Sequence, residues 1–172
     1  GKTPACNARK GQKAKGDGRL HDLNTSISQT RRKFSGLFSV ALRNIMTVYT
    51  HVTVGTNDLE KARSFYDAVL GEIRLKRVAD LDNNGSIWGD NAPSFFVLKP
   101  ANGQPATVGN GVTVSFEAPN RASVDALHKT ALAQGGKCEG AAGPRGWAPN
   151  AYAAYARDPD RNKLAVYCFK PE

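Results

Sequence analysis

The sequence predicts an α+β fold made of two copies of one β-α-β-β-β unit, and two observations support this prediction. First, the strand-like segment Tyr49–Val54 resembles Asn110–Ser115, and within them His51–Val54 matches Gly111–Val114 at an offset of sixty residues. Second, each of these segments is followed by one amphipathic helix pattern and three short strand patterns. Repetition at a fixed offset is typical of duplicated units, and units that keep their helices apart from their strands form α+β domains.

Both predicted helices carry an apolar stripe at helical spacing between a capping residue and a glycine. The first begins after Asn57 or Asp58, either of which can act as its N-cap, and ends at Gly71. Its stripe consists of Leu59, Ala62, Phe65, Tyr66, Val69 and Leu70. The second begins after Asn120 and ends at Gly135. Its stripe consists of Val124, Leu127, His128, Ala131 and Leu132. This spacing favours helices that each bury one face.

Three short strands are predicted after each helix, separated by turn residues. In the first unit they are Ile73–Ala79, Ser86–Trp88 and Ser94–Lys99. In the second unit they are Lys137–Gly140, Ala151–Arg157 and Lys163–Phe169. Clusters of Asp, Asn, Gly and Pro, such as Asp82–Gly85 and Asp158–Arg161, mark the turns between them. The two modules are therefore assigned to residues 46–105 and 106–172.

The chain divides into a basic extension and a nearly neutral domain. Residues 1–45 hold ten Lys and Arg against two acids, whereas residues 46–172 hold fourteen against thirteen. The net charge of +9 therefore belongs mainly to the extension, and we expect no nucleic-acid partner for the domain. Because the chain has no run of eighteen apolar residues, we expect no membrane partner either.

The extension ends in a predicted amphipathic helix near residues 27–45. Its apolar stripe consists of Phe34, Leu37, Phe38, Ala41, Leu42 and Ile45. Three interpretations stay open: a helix that docks on the domain or on a partner, a basic targeting or surface-binding helix, or sequence upstream of the true start. The single methionine, Met46, follows this helix directly.

The three cysteines are widely spaced and form no ligand-like pairs. Neither a disulfide framework nor a cysteine-based metal site is indicated by such a pattern. Since disulfide-poor proteins are typical of reducing compartments, we expect a cytoplasmic location.

Two segments resemble the vicinal oxygen chelate superfamily, which includes glyoxalases, bleomycin-resistance proteins and extradiol dioxygenases. HVTVGTNDLEKARSFYDAVLG at 51–71 resembles the first strand and helix of that family, and ARDPDRNKLAVY at 156–167 resembles its last turn and strand. Together with the duplicated order of elements, the resemblance covers residues 46–172. It implies two curved mixed sheets around a cleft, often with a divalent metal at its floor.

The resemblance also implies metal ligands on the first and last strands of each module. On this sequence those positions are occupied by His51, Val97, Gly111 and Ala165. A shift of one residue would place Phe96 or Leu98 where Val97 stands. Only His51 among these can donate a lone pair to a metal, whereas a catalytic metal ion normally takes three protein ligands. We therefore predict a member of the family with no metal ligands and no cofactor.

Strand alternation places further side chains on the same face as these positions. The predicted ligand-binding residues are Tyr49, His51, Thr53, Phe95, Thr113, Ser115, Trp147 and Tyr167. Trp147 stands in a Pro- and Gly-rich loop, where an apolar ring has little core to join, so we expect it to contact a ligand. Arg145 in the same loop is either a solvated surface charge or a contact for an anionic group. Such an aromatic, mildly polar cleft suits a small organic molecule.

Two functions are compatible with this cleft, and a third depends on the extension. The first is metal-free binding of a small molecule, as in drug-binding members of the family. The second is a lyase- or isomerase-like enzyme with His51 as its catalytic residue, acting as an acid or base beside Tyr167 or as a residual metal ligand. In the third, the extension carries the function and the domain serves assembly. The resemblance further implies a homodimer, because family members usually pair.

Overall fold

The computed structural model describes residues 48–171. The basic extension at 1–45 and its predicted helix near 27–45 lie outside the described residues. Within the described chain, a strand, a helix and three strands follow one another twice, as the repeat predicts. No helix of residues 48–171 is long and apolar enough to span a membrane.

Two helices, each of thirteen residues, lie where the apolar stripes predict them in this part of the chain. Helix α1 spans Leu59–Gly71, and its N-cap Asp58 accepts a hydrogen bond from the Lys61 backbone N–H at 3.1 Å. Helix α2 spans Arg121–Ala133, and Asn120 caps it in the same way. Each cap satisfies a backbone donor that the first helical turn leaves without a partner.

The eight strands of residues 48–171 form two four-stranded sheets. The first sheet contains β1 (Val52–Gly55), β2 (Lys76–Leu81), β3 (Gly85–Gly89) and β4 (Pro93–Leu98), in the order β1-β4-β3-β2. The second sheet contains β5 (Val114–Glu117), β6 (Lys137–Pro144), β7 (Tyr152–Arg157) and β8 (Lys163–Cys168), in the order β5-β8-β7-β6. The pairs β1–β4 and β5–β8 are parallel and the other pairs are antiparallel, so both sheets are mixed.

Strand β2 begins three residues later than the sequence predicts, at Lys76 rather than Ile73. Gly71 is the last residue of α1, and the chain turns at Arg74, which has a φ of 69°. The backbone N–H groups of Ile73 and Leu75 both donate to the Leu70 carbonyl at the end of the helix. These bonds hold residues 73–75 in a turn, so the extended segment starts only after them.

Equivalent elements of the two modules are offset by 62 residues rather than sixty. Strands β1 and β5 begin at Val52 and Val114, and helices α1 and α2 begin at Leu59 and Arg121. The shorter offset arose from matching two identical Val-Thr-Val triplets, but Val112 lies outside β5. In the structural frame His51 corresponds to Thr113, so the assignment of Gly111 as its counterpart was wrong.

The helix-covered sides of both sheets contribute to one hydrophobic core. Tyr66 and Phe95 of the first module and Val124 and Val166 of the second are at most 1% exposed. The rings of Phe95 and Phe116 meet edge to face across the two modules, with centroids 5.3 Å apart. Burial of apolar surface in this shared core therefore stabilises the modules together.

Hydrogen bonds from the β7–β8 turn join the second module to the first. Asp158, only 3% exposed, accepts a bond from the Tyr66 hydroxyl at 2.6 Å and two from Asn162. Asp160 accepts a bond from the Thr56 hydroxyl at 2.6 Å, and the Asn162 amide donates to the Gly55 carbonyl at 2.9 Å. The turn thereby fixes the second module against the end of β1.

Candidate functional site

The first candidate region is the face of the first sheet that carries His51, which we call the His51 face. The imidazole stacks on the Phe96 ring, with centroids 4.2 Å apart and an interplanar angle of 17°. The Thr50 hydroxyl lies 3.0 Å from Nδ1 and forms a hydrogen bond with it. Because the register pairs Thr53 with Phe96 and Gly55 with Leu98, these side chains share one face.

Phe95 does not lie on the His51 face, so the prediction that it lies beside His51 was wrong. The residue next to it in the sequence, Phe96, lies there. It pairs with Val52 in the parallel register and is 1% exposed. Its ring packs against Tyr66 of α1, with centroids 4.9 Å apart. Adjacent strand residues point to opposite faces, so Phe96 takes the position on the His51 face that was assigned to Phe95.

The same shift corrects the metal-ligand positions implied by the resemblance. Strand β8 pairs Ala165 with Ser115, and the equivalent pairing in the first sheet joins Phe96 to Thr53. The four positions are thus occupied by His51, Phe96, Thr113 and Ala165. These side chains do not fit a divalent metal, because one imidazole and one hydroxyl fall short of three strong donors. Among residues 48–171, no group of three or more His, Cys, Asp or Glu could hold a metal ion.

The His51 face continues into an apolar surface at its far end. Leu81, Gly85 and Leu98 lie in one row across β2, β3 and β4. Leu81 is 40% exposed, and a cavity of about 500 Å³ lies between it, Leu98 and Pro100. This end of the face therefore presents apolar side chains to solvent.

The second candidate region is a cluster of aromatic rings on the second sheet, which we call the aromatic face. It consists of Trp147, Tyr155, Tyr167 and Phe169. Tyr167 lies at its centre, with centroids 5.8 Å from Trp147, 6.0 Å from Tyr155 and 5.8 Å from Phe169. Trp147 and Phe169 are 61% and 46% exposed. The cluster thus offers open ring surface instead of closing into a core.

Three hydroxyl groups are linked by hydrogen bonds at the aromatic face. Tyr167 donates a hydrogen bond to the Tyr155 hydroxyl at 3.2 Å, and Ser115 also hydrogen-bonds with Tyr167. Burial, together with the bond to Tyr155, raises the pKa of Tyr167 to about 12. Tyr167 therefore stays protonated near neutral pH, where it can donate a hydrogen bond but cannot act as a base.

Three cations and one carboxylate lie at the Tyr155 end of this face. Arg157 and Lys163 both pair with Glu139, the latter at 3.1 Å. Their hydrogen bonds hold the pKa of the Glu139 carboxyl below its usual value, with the bond from Arg157 as the largest cause. Arg145 lies over the Tyr155 ring, 5.3 Å from its centroid. The positive charges on this face therefore outnumber the charge of Glu139.

The predicted site residues fall into two groups. Trp147, Tyr167 and Ser115 come together on the aromatic face. His51 and Thr53 belong to the His51 face, and no ring contact or hydrogen bond within residues 48–171 joins the two groups. Tyr49 and Thr113 are exposed ahead of β1 and β5.

Sequence reasoning did not predict two aromatic residues at these faces, Phe96 and Tyr155, as site residues. Each stands in or beside a strand, where an aromatic residue is usually part of the core. Strand alternation does predict Phe169 on the face of Tyr167, two residues before it. The position of Tyr155 depends on its pairing with Ala165 of the neighbouring strand.

Comparisons with known proteins agree with this fold. The family model of the Glyoxalase/Bleomycin resistance protein/Dioxygenase superfamily matches residues 49–166. A glyoxalase/bleomycin resistance protein from Albidiferax ferrireducens T118 is 40% identical, with a TM-score of 0.65, and the match covers 73% of this chain and 100% of that one.

Two more distant structures resemble the chain in fold alone. A lactoylglutathione lyase from Agrobacterium tumefaciens is 23% identical, with a TM-score of 0.53 over 71% of this chain and 93% of that one. A genomically encoded fosfomycin resistance protein from Listeria monocytogenes is 14% identical, with a TM-score of 0.54 over 73% and 96%. None of the curated proteins matches the chain.

Proposed function

This chain belongs to the glyoxalase/bleomycin resistance protein/dioxygenase superfamily, and on that premise we propose that it binds a small organic molecule on its aromatic face without a metal ligand set. The observation that carries the proposal is the open ring cluster around Tyr167. Trp147 is 61% exposed although its ring contacts those of Tyr167 and Phe169. Exposed apolar surface of this kind is typical of ligand-binding sites.

The chemistry of the aromatic face supports binding of a flat, partly polar molecule. Ring faces offer apolar stacking surface, and the hydroxyls of Tyr155, Tyr167 and Ser115 can fix the orientation of a polar group. Such binding needs no metal, and the His51, Phe96, Thr113 and Ala165 side chains supply too few donors for one. Sequestration of a small molecule is the function that this arrangement supports best.

A ligand screen followed by substitution of Trp147 tests this proposal. A metabolite and antibiotic panel is screened for thermal stabilisation, because a ligand that binds the folded state raises its stability. Trp147→Ala should then weaken binding of each hit by about 1–3 kcal/mol, the scale of losing one buried aromatic contact. Leu132→Ala, at an exposed position of α2, is the matched control and should leave binding unchanged. Equal affinities for the two variants would contradict the proposal.

The geometry of His51 favours a second candidate, a lyase- or isomerase-like enzyme. The Thr50 hydroxyl and the Phe96 ring hold the exposed imidazole in one orientation, as an acid–base residue requires. Tyr167 can serve such an enzyme only as a donor because its pKa is raised to about 12. For an enzyme, His51→Ala should lower turnover by roughly a hundredfold with little change in affinity. For a pure binder the same change should alter affinity modestly.

A further inference from the structure

The environment of Arg145 identifies a class of ligand for the aromatic face. The guanidinium is half-buried, and one terminal nitrogen donates to the backbone carbonyls of Ala141 and Ala153, both at 2.7 Å. The other terminal nitrogen donates to the Pro144 carbonyl at 3.3 Å. These bonds hold the cation over the Tyr155 ring instead of leaving it a mobile surface charge.

Arg145 differs from the other cations of the aromatic face in having no carboxylate partner. Arg157 and Lys163 share Glu139, whereas no carboxylate of residues 48–171 lies within ion-pair distance of Arg145. Since backbone carbonyls carry no net charge, they satisfy donors without neutralising the guanidinium. Its charge is therefore left to attract an anion.

Arg145 also keeps donors that no described group uses. A guanidinium has five N–H donors in a planar fork, and the three bonds to carbonyls leave Nε–H and one terminal N–H for a ligand. These two donors lie on different edges of the guanidinium, so each can give one charge-assisted hydrogen bond to an anionic oxygen such as that of a carboxylate. Geometry and charge thus agree on the group that Arg145 can bind.

A second acidic residue of this face, Glu117, lies on the edge strand farthest from Arg145. Glu117 of β5 pairs with Tyr167 of β8, and Tyr167 pairs with Ala153 of β7. Arg145 directly follows β6, beyond β7, so two strands separate it from Glu117. The anion-binding end of the face is therefore the end beside Tyr155.

We infer that the ligand of the aromatic face is an anionic aromatic molecule whose ring stacks on Trp147 and whose anionic group binds Arg145. This inference rests on the proposed binding function and names the chemical class of its ligand. Arg145 and Trp147 are two positions apart in the sequence. Arg145 lies over the Tyr155 ring, Trp147 contacts the Tyr167 ring, and the two tyrosine rings contact each other. One small molecule can therefore reach both side chains.

A charge-matched series of probes tests the inference. Indole-3-acetate, indole-3-acetamide and tryptamine carry one ring with a negative, a neutral and a positive side chain. The ¹⁵N-labelled full chain reports binding through its two Trp indole signals. Trp88, which is buried and donates to Asp67 at 3.0 Å, is the internal reference. We expect the Trp147 signal to shift with the acetate at a Kd about tenfold lower than with the acetamide, because charge-assisted hydrogen bonds are the stronger ones. Tryptamine should bind weakest.

Substitutions assign the preference to Arg145. Arg145→Gln should remove the difference between acetate and acetamide, whereas Lys129→Gln, which deletes an exposed charge on α2, should retain it. If Arg145→Gln fails to fold, Arg145→Lys should keep a smaller preference for the acetate, since it retains the charge but not the guanidinium that the carbonyl bonds hold over Tyr155.

The possible outcomes separate this inference from the proposed function. If none of the three indole probes shifts the Trp147 signal, both the proposed binding function and the inference fail for indole ligands. Equal affinity for acetate and acetamide, or a preference for tryptamine, overturns the inference and leaves the proposed function standing. A preference for the acetate that survives unchanged in Arg145→Gln, or in Arg145→Lys where that variant is used, also overturns it.

Discussion

At the scale of single residues, the buried carboxylate of Asp158 shows how one side chain can serve both modules. Burial is the largest cause of the raised pKa of Asp158, and it also raises the pKa of Tyr66, which donates to it. No cation of the described chain pairs with this carboxylate. Its negative charge is therefore stabilised by neutral donors alone, from Tyr66 and Asn162.

Tyr66→Phe tests the contribution of this carboxylate to stability. The ring keeps its packing in the core, but Asp158 loses one donor, so we expect a loss of about 1.5–3 kcal/mol, the range for hydrogen bonds to charged groups. Tyr152→Phe is the matched control, because its hydroxyl donates to Asp125 at an exposed site and should cost less than about 1 kcal/mol. Urea denaturation measures both, and similar losses would contradict this account of Asp158.

His128 is a second residue whose environment has a measurable consequence. It is 8% exposed on α2, and its Nε2 has no hydrogen-bond partner among the described residues. Burial lowers the pKa of His128, although a hydrogen bond with the Tyr155 backbone partly opposes this. The folded state therefore disfavours the protonated ring that the unfolded chain accepts readily.

The pH dependence of unfolding should report this effect. As pH falls below the ordinary histidine value of 6.5, the unfolded chain binds a proton before the folded chain does, so His128 reduces stability progressively. The reduction ends once the pH passes below the lowered pKa of the folded state. Comparing His128→Leu with the unaltered chain by urea denaturation isolates this term, and the variant should lose stability less steeply on acidification. Parallel pH profiles would show that His128 is not the cause.

The aromatic face also shows which exposed side chains can be predicted from local sequence. Trp147 was predicted because a Pro- and Gly-rich loop gives a large ring no core to join, and the structure places it in a loop beside Tyr167. The special position of Arg145 could not be predicted in the same way. Glu139 stands only six positions before Arg145, but in the fold it pairs with Arg157 and Lys163 of two other strands.

At the scale of elements, the helices could be predicted well and the strand faces less well. Asp58 and Asn120 cap their own helices within three residues, so local sequence suffices to place them. In β4 the neighbours Phe95 and Phe96 are both apolar, and alternation alone cannot decide which one faces the core. The parallel pairing with β1 decides it, and that pairing depends on residues more than forty positions away.

Strand β3 allows a test of how tightly the first sheet is packed. A Cβ at Gly85 would lie 2.3 Å from a Leu98 methyl carbon and 2.5 Å from the Val97 carbonyl oxygen. Because the carbonyl belongs to the backbone of β4, Gly85→Ala should destabilise the protein by about 1–3 kcal/mol. Gly71→Ala is the control, since nothing lies within 4 Å of a Cβ there and a gain of about 0.4–1 kcal/mol is expected. Thermal unfolding distinguishes them, and equal effects would argue against the close contact of β3 with β4.

At the scale of the whole molecule, each sheet has one face covered by its helix and one face without a helix in the described chain. The helix-covered faces of the two sheets contribute to one hydrophobic core, which joins the modules. The His51 face stays open, and its far end carries Leu81, Leu98 and the cavity beside Pro100. Contiguous exposed apolar surface on a stable domain is typical of an interaction surface.

We therefore expect a homodimer in solution, in which the apolar end of the His51 face is buried by a second copy. Sedimentation velocity at micromolar concentration should give twice the monomer mass. Leu81→Lys should raise the dimer Kd by about tenfold or more, equivalent to about 1.4 kcal/mol, because a charge would replace a buried apolar contact. Leu132→Lys is the matched control, since Leu132 has nearly the same exposure, 37% against 40%, but lies on helix α2. A monomeric unaltered chain contradicts the dimer. A dimer weakened equally by both substitutions places its interface elsewhere than the His51 face.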